Sequence, residues 1–145
     1  MTLNQVVSRI RGIVTSHGQL KSFYLGDPWE LEHQQAGAVE YACVLCQLVN
    51  LTLGVGYTQF NFSLYIMDQV AVEETGELDT LSDMVLVAQD IMAGLRNDIY
   101  QDWVLSDTNS GPFFTERMET SVAGVRVDIA IQVDNEGDRC AVPEN

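Results

Sequence analysis

Three cysteines, two histidines and a run of carboxylates are the residues on which chemistry could be built, and their spacing builds little. Cys43 and Cys46 form a C-x-x-C, but they lie in the β-like stretch YACVLCQLV, where side chains three apart project from opposite faces. The two thiols therefore cannot readily share a metal or a disulfide. A redox C-x-x-C opens a helix after a strand, where the helix N-terminus lowers a thiol pKa, and that context is missing. With Cys140 the count is odd, which gives no disulfide framework and leaves buried, reduced thiols as the reading. His17 and His33 belong to no H-E-x-x-H and to no zinc-spaced cluster; they read as surface residues, His17 at a helix end. Glu73, Glu74, Glu77, Asp79 and Asp83 offer hard oxygen ligands suited to calcium or magnesium, yet lack the spacing of an EF-hand loop. They fit better the acid-rich entry of a helix, where the helix dipole favours them.

Nucleophile signatures are missing as well. The chain has no G-x-S-x-G elbow, and Gly54-Val55-Gly56 lacks the third glycine, the Lys-Ser/Thr ending and the following helix of a phosphate cradle. It reads as a turn. No catalytic residue, metal ligand or cofactor is assigned, and the expectation is a protein that is not an enzyme.

The elements that would position any site follow from periodicity. Leu3, Val6, Val7, Ile10, Ile13 and Val14 recur at three- and four-residue steps, predicting a helix over residues 2–17 with Thr2 and Gln5 as its capping box and Gly18 as a left-handed C-cap. Extended chain over 20–25, a Gly26-Asp27-Pro28 turn and one helical turn over 29–33 come next. A strand is predicted over 41–49, with Gly54 and Gly56 breaking the pattern. From 57 to 67, Phe60, Phe62, Leu64 and Ile66 alternate with Gln59, Asn61, Ser63 and Tyr65, the pattern of a sheet wet on one side. Leu81, Met84, Val85, Ala88, Ile91, Met92 and Leu95 mark a second amphipathic helix, ending near Asn97 with Arg96 in its last turn. A brief strand over 103–105, a loop over 107–112 and a long strand over 117–133 complete the reading, with Gly124 the candidate bulge in that last strand. The fold class is α+β: a mostly antiparallel sheet with two amphipathic helices packed on one face. Residues 1–134 form the single domain and residues 135–145 a peripheral tail.

Composition narrows the partners. The 145 residues carry 21 acids against 7 Lys and Arg, a net charge of −14, and are still 46% hydrophobic. That much apolar material argues for a packed core rather than disorder. The negative field disfavours gripping a nucleic-acid backbone, which needs clustered cations. The opening MTLNQVVSRIRG lacks the apolar block of a secretory signal, and no run approaches the ~20 apolar residues that span a bilayer. A protein made in the cytosol, with no membrane partner, is expected.

The segments MTLNQVVSRI, FYLGDPWEL, YACVLCQLV, FNFSLYIMDQV, LDTLSDMVLVAQDI, VAGVRVDIAIQV and the DRCAVP tail together resemble small neck proteins of tailed bacteriophages, of the crAss-like type. The resemblance implies a virion structural protein made in the host cytoplasm: a head-to-tail connector or tail-completion protein forming a homo-oligomeric ring between portal and tail. Its partners would be copies of itself and other neck, portal or tail proteins, and DNA would pass through the ring without sequence-specific binding. The family brings no catalytic residues. A negative lumen would let DNA slide, and a head-to-tail ring needs two different complementary patches on each subunit. Trp29 and Glu30 in the 26–35 loop, Phe113, Phe114 and Arg117 in the 111–118 loop, and Arg139 in the tail are the candidate subunit-interface residues, chosen for aromatic or charged character in exposed segments. Phe113 and Phe114 fit a subunit contact and core packing equally. The alternative is a small acidic adaptor or inhibitor docking on a basic partner.

Overall fold

In the computed structural model, which describes residues 2–32, 39–70, 76–97, 103–106, 108–117 and 121–134, the chain opens with helix α1 (Leu3–Thr15). Its capping box is complete: the Gln5 amide donates to the Thr2 hydroxyl at 3.2 Å and the Thr2 amide to Gln5 Oε1 at 2.7 Å. Two amides that a helix start leaves orphaned are thereby satisfied. Val6, Val7, Ile10 and Val14 form the buried stripe. The helix stops before residue 17, and Gly18 does not adopt the left-handed conformation expected of it. Instead the hydroxyls of Thr15 and Ser16 turn back onto the carbonyls of Arg11 and Ile13 at 2.8 Å each. Those last-turn acceptors gain partners with no need of a glycine cap.

Strand β1 (Ser22–Leu25) and the short helix α2 (Pro28–Glu32) follow, then strands β2 (Cys43–Gly54) and β3 (Tyr57–Gln69), helix α3 (Glu77–Asn97), and strands β4 (Trp103–Leu105), β5 (Phe113–Arg117) and β6 (Ser121–Asp134). The sheet runs in the order β1, β2, β3, β6, with β4 and β5 both on the outer side of β6. Among the described residues only β1 and β2 pair in parallel; the other pairings are antiparallel. The architecture is α+β with a mostly antiparallel sheet. Its two long helices, α1 and α3, supply the helical side of the core, and the short helix α2 lies where one helical turn is expected from the sequence.

That core lies on one face of the sheet. Val44 and Cys46 of β2, Phe62, Leu64 and Ile66 of β3, and Val125, Ile129, Ile131 and Val133 of β6 meet Val6, Ile10 and Val14 of α1 and Val87, Ile91 and Leu95 of α3. The period-two alternation of β3 and β6 places these side chains together, because each β3 residue pairs with one of β6 from Tyr57–Asp134 to Gln69–Val122 without a break. Trp103 ties β4 to the helical layer: its indole Nε1 donates to the Leu95 carbonyl at 3.1 Å, and the Arg9 guanidinium lies 5.9 Å from its ring centroid.

Several expectations are corrected. The 111–118 segment is not a loop, because residues 113–117 form β5 and pair with Ser121–Val125. The long strand predicted over 117–133 is thus the second arm of a hairpin, beginning at Ser121. Its first arm is interrupted: β4 pairs as Leu105–Ile131, while Ser110 bridges Asp128, five positions against three. The surplus of two residues is even, so the faces stay in register on both sides of it. Gly124 carries no bulge. It pairs in sequence with Met67, and a Cβ there would strike the Ile66 carbonyl oxygen, so glycine serves close strand approach instead. The bulge lies in β2, at Val49 between Leu48 and Asn50. Helix α3 starts at Glu77, four residues before the predicted stripe, with Glu77 and Asp79 in its first turn. Glu73 and Glu74 lie outside the described residues, as do His33, the Arg139 side chain and the 135–145 tail.

Leu64 is fully buried at the centre of this core, whereas Leu53 is 71% exposed. Leu64→Ala should cost about 2–5 kcal/mol of unfolding free energy, and Leu53→Ala should stay within about 0.5 kcal/mol, read by urea denaturation.

Candidate functional site

Strand parity sends the polar half of the alternation to the face away from α1 and α3. There Gln47, Asn50, Gln59, Asn61, Ser63, Tyr65, Arg126 and Asp128 stand side by side on β2, β3 and β6. Tyr65 Oη donates to Gln47 Oε1 at 3.1 Å, and Gln47 Nε2 donates to Asp27 Oδ1 at 3.2 Å. Gln59 Nε2 donates to Asn61 Oδ1 at 3.1 Å, and Asn61 Nδ2 to Asn50 Oδ1 at 2.6 Å. Ser63 Oγ donates to Asp128 Oδ1 at 2.6 Å, and Arg126 Nε lies 3.3 Å from the same oxygen. Gln47, Asn61, Ser63, Tyr65, Arg126 and Asp128 floor an open cleft of about 780 Å³, lined also by Thr108 and Asp27.

The cleft's hydrogen-bonding groups are largely spent on one another. Ser63 gives its proton to the Asp128 carboxylate, and no imidazole stands among the described residues that line the cleft. Among the described residues no cluster of three or more His, Cys, Asp or Glu side chains could hold a metal ion. His17, expected at a helix end on the surface, is half-buried and bonds Asp90 Oδ2 through Nε2 at 2.9 Å, tying the end of α1 to α3.

The C-x-x-C is divided as its strand spacing implies. Cys46 packs in the helix-side core and Cys43 in a smaller cluster on the opposite face with Leu45, Met67 and Val122. Both thiols are unpaired by disulfide and buried. Burial pushes the Cys46 thiol up to about 12, and burial together with the Asp68 carboxylate pushes Cys43 to about 12. At neutral pH both are protonated and poor nucleophiles.

The sequence-selected interface residues do not form one patch. Trp29, 57% exposed, and Glu30 sit on α2, next to β1 at one edge of the sheet. Phe113, Phe114 and Arg117 sit on β5 at the opposite edge. The two phenylalanines part company, because neighbours in a strand face opposite ways. Phe113 is 64% exposed on the helix side, whereas Phe114 packs edge-on against Tyr65 at 5.7 Å on the other. The choice between core and surface thus resolves differently for each.

A surface that the sequence reading passed over is the far half of the β2–β3 hairpin. Beyond Cys46 strand β2 has no neighbour on its outer side among the described residues. Leu48, Val49, Leu51, Leu53 and Val55 are all exposed, Val55 completely. The Val55-Gly56 tip turns on Gly56, whose φ of +82° favours glycine. A signal was present in the chain: from Tyr41 to Met67 there is no Asp, Glu, Lys, Arg or His. A second acid-free surface is a groove of about 480 Å³ between α3 and the β5–β6 hairpin, lined by Val85, Ala88, Met92, Phe113 and Val125 with Arg96 and Arg126 at its margin.

No family model matches the chain, and no curated protein matches it.

A thiol whose pKa is raised on folding holds its proton more tightly in the folded chain. The stability it contributes is complete below the unfolded value of 9.0 and is lost as pH climbs toward about 12. Tyr41, raised from 10.0 to about 12 chiefly by burial, acts in the same sense. Raising the pH from 8 to 10.5 should lower Tm by more than about 5 °C, and the C43A/C46A double variant should show a shallower decline by calorimetry.

Proposed function

We propose that this protein is a non-enzymatic structural subunit of the virion, assembling with copies of itself into a ring in the neck of a tailed phage, as a head-to-tail connector or tail-completion protein. The observation that carries self-assembly is the uncharged hairpin, whose Leu48, Val49, Leu51, Leu53 and Val55 are exposed on a chain of net charge −14. Contiguous apolar surface of this kind marks an interaction site. The resemblance of the sequence segments to phage neck proteins supplies the particle and the place in it. Other neck, portal or tail proteins would stack above and below the ring, and DNA would pass through it. The excess of acids suits a channel that must not hold DNA, since like charge repels the phosphate backbone.

The same acidity supports a second reading, an adaptor or inhibitor docking on a basic partner. The apolar hairpin counts against it, because a docking face for a basic partner would carry the carboxylates. Native mass measurement of the purified chain, paired with proteomics of purified particles, separates the two. A ring, or stoichiometric presence in particles, is the expected result. A monomer absent from particles and captured by a basic partner would sink the neck reading.

A further inference from the structure

Positive charge is segregated within this strongly acidic chain. The first 26 residues contain no Asp or Glu and hold Arg9, Arg11 and Lys21, whereas all 21 acids fall from Asp27 onward, beside Arg96, Arg117, Arg126 and Arg139. The fold turns this division of the sequence into a division of the surface. Helix α1 is free of acids, and its outward residues Asn4, Ser8, Arg11, Gly12 and Thr15 are exposed. Arg11 lies over the Phe23 ring of β1 at 5.2 Å, and Lys21 immediately precedes that strand, so both cations stand on the β1 side of the helical layer.

Helix α3, packed over β3 and β6, carries the opposite sign. At ~100° per residue, Asp79, Asp83 and Asp90 fall within about 40° of one another on its outward face, with exposed Leu86 among them. The two helices touch through His17 and Asp90 at 2.9 Å. Even so, none of Arg11, Lys21, Asp79 and Asp83 forms an ion pair among the described residues. The two charged faces adjoin without neutralising each other.

Whatever covers these faces must match a pattern rather than a single sign. A uniform polyanion such as nucleic acid, laid along α1, would also meet the carboxylates of the adjoining α3. A uniformly basic partner laid on α3 would meet the cations beside α1. A second copy carries both signs in one layer, so its α3 answers α1 and its α1 answers α3. The net charge of −14 on each copy opposes the approach, but at physiological ionic strength that repulsion is screened beyond about 8 Å, whereas charges in contact interact well inside that length. Leu86, ringed by Asp79, Asp83 and Asp90, adds the apolar centre that such a contact needs.

From this charge complementarity we infer that the outward face of α1, with Arg11 and Lys21, docks on the Asp79, Asp83 and Leu86 stripe of α3 in a second copy. The inference rests on the self-assembly reading above and gives it a contact separate from the apolar hairpin. The two faces differ, so the contact runs head-to-tail unless the same two copies exchange both faces across a two-fold axis.

The test is a charge swap in the full-length chain, read by sedimentation and native mass measurement. R11E/K21E and D79K/D83K, all at exposed positions, should each weaken self-association at least ~tenfold, because each sets like charges against one another. Mixed in equal amounts they should assemble with each other, since the reversed α1 of one now fits the reversed α3 of the other. That rescue separates a lost contact from a damaged fold. E40K/D134K shifts the net charge as D79K/D83K does but lies away from both helices, and it should assemble as the unaltered chain does and fail to rescue R11E/K21E. Reversal variants that assemble unaided, or a mixture no better than its parts, would overturn the contact and leave self-assembly standing. An unaltered chain that stays monomeric in solution yet is stoichiometric in particles would also overturn it, with the neck reading in place. So would a monomer that binds a duplex DNA of ~20 base pairs and loses that binding in R11E/K21E, which would assign the α1 face to nucleic acid.

Discussion

The unbroken pairing of β3 with β6 is the constraint on which the rest of the structure depends. It runs from Tyr57–Asp134 to Gln69–Val122, joins segments more than fifty residues apart in the chain, and sets which side chains share a face. Slipping it by one residue would move Phe62, Leu64 and Ile66 away from the helices and bring Gln59, Asn61 and Ser63 under them. That exchange would bury amides and hydroxyls without partners, so the register is specified strongly. The glycine at 124 belongs to the same constraint, since the β6 backbone there comes too close to the Ile66 carbonyl for any Cβ. Where the outer strand of the hairpin must leave β6 between Leu105 and Ser110, it does so by an even number of residues. Trp103 and Leu105 on one side of the excursion and Phe113 on the other therefore still point the same way.

Local rules carried much of this fold, and failed where a distant partner decided the outcome. Thr2 and Gln5 could be read as a capping box because both partners lie within one turn. Alternation marked β3 and β6, and the same two-residue period foretold that Cys43 and Cys46 would be parted. Strand β5 was hidden: FFTER has no alternation of apolar and polar residues, and it becomes a strand only because β6 folds back along it. The end of α1 was misread for a related reason. Gly18 is the residue type that caps helices, but the serine and threonine hydroxyls just before it had already closed the last turn.

The candidate site shows the same division. Aromatic residues in apparent loops were the natural markers of an interface, and Phe113 is indeed exposed beside a groove, yet Phe114 is taken up by Tyr65. Residue type alone could not separate adjacent positions whose difference is strand parity. The β2–β3 hairpin drew no notice because a run of Val, Leu and Cys looks like buried strand. Only the sheet's edge, and the fact that β1 pairs no further than Cys46, leaves its second half uncovered. The absence of charge from Tyr41 to Met67 was legible all along, but its meaning depends on knowing which part of that run is outside.

Exposed apolar edge strands invite uncontrolled pairing, and proteins commonly guard them with lysine, proline or a bulge. This hairpin has neither lysine nor proline between Tyr41 and Met67, which leaves the bulge at Val49 as its guard. A guard of that kind interrupts backbone pairing while leaving the side chains of Leu51, Leu53 and Val55 presented. Charges would have protected the edge as well, but on a chain that already carries −14 a further carboxylate would repel every sister copy, and a cation would attract the acidic surface indiscriminately. Neutrality with a broken edge disfavours pairing along the strand while leaving the apolar side chains exposed. Under the self-assembly reading, the high net charge would work with the hairpin rather than against it, because repulsion elsewhere discourages docking geometries that bring acidic surfaces together.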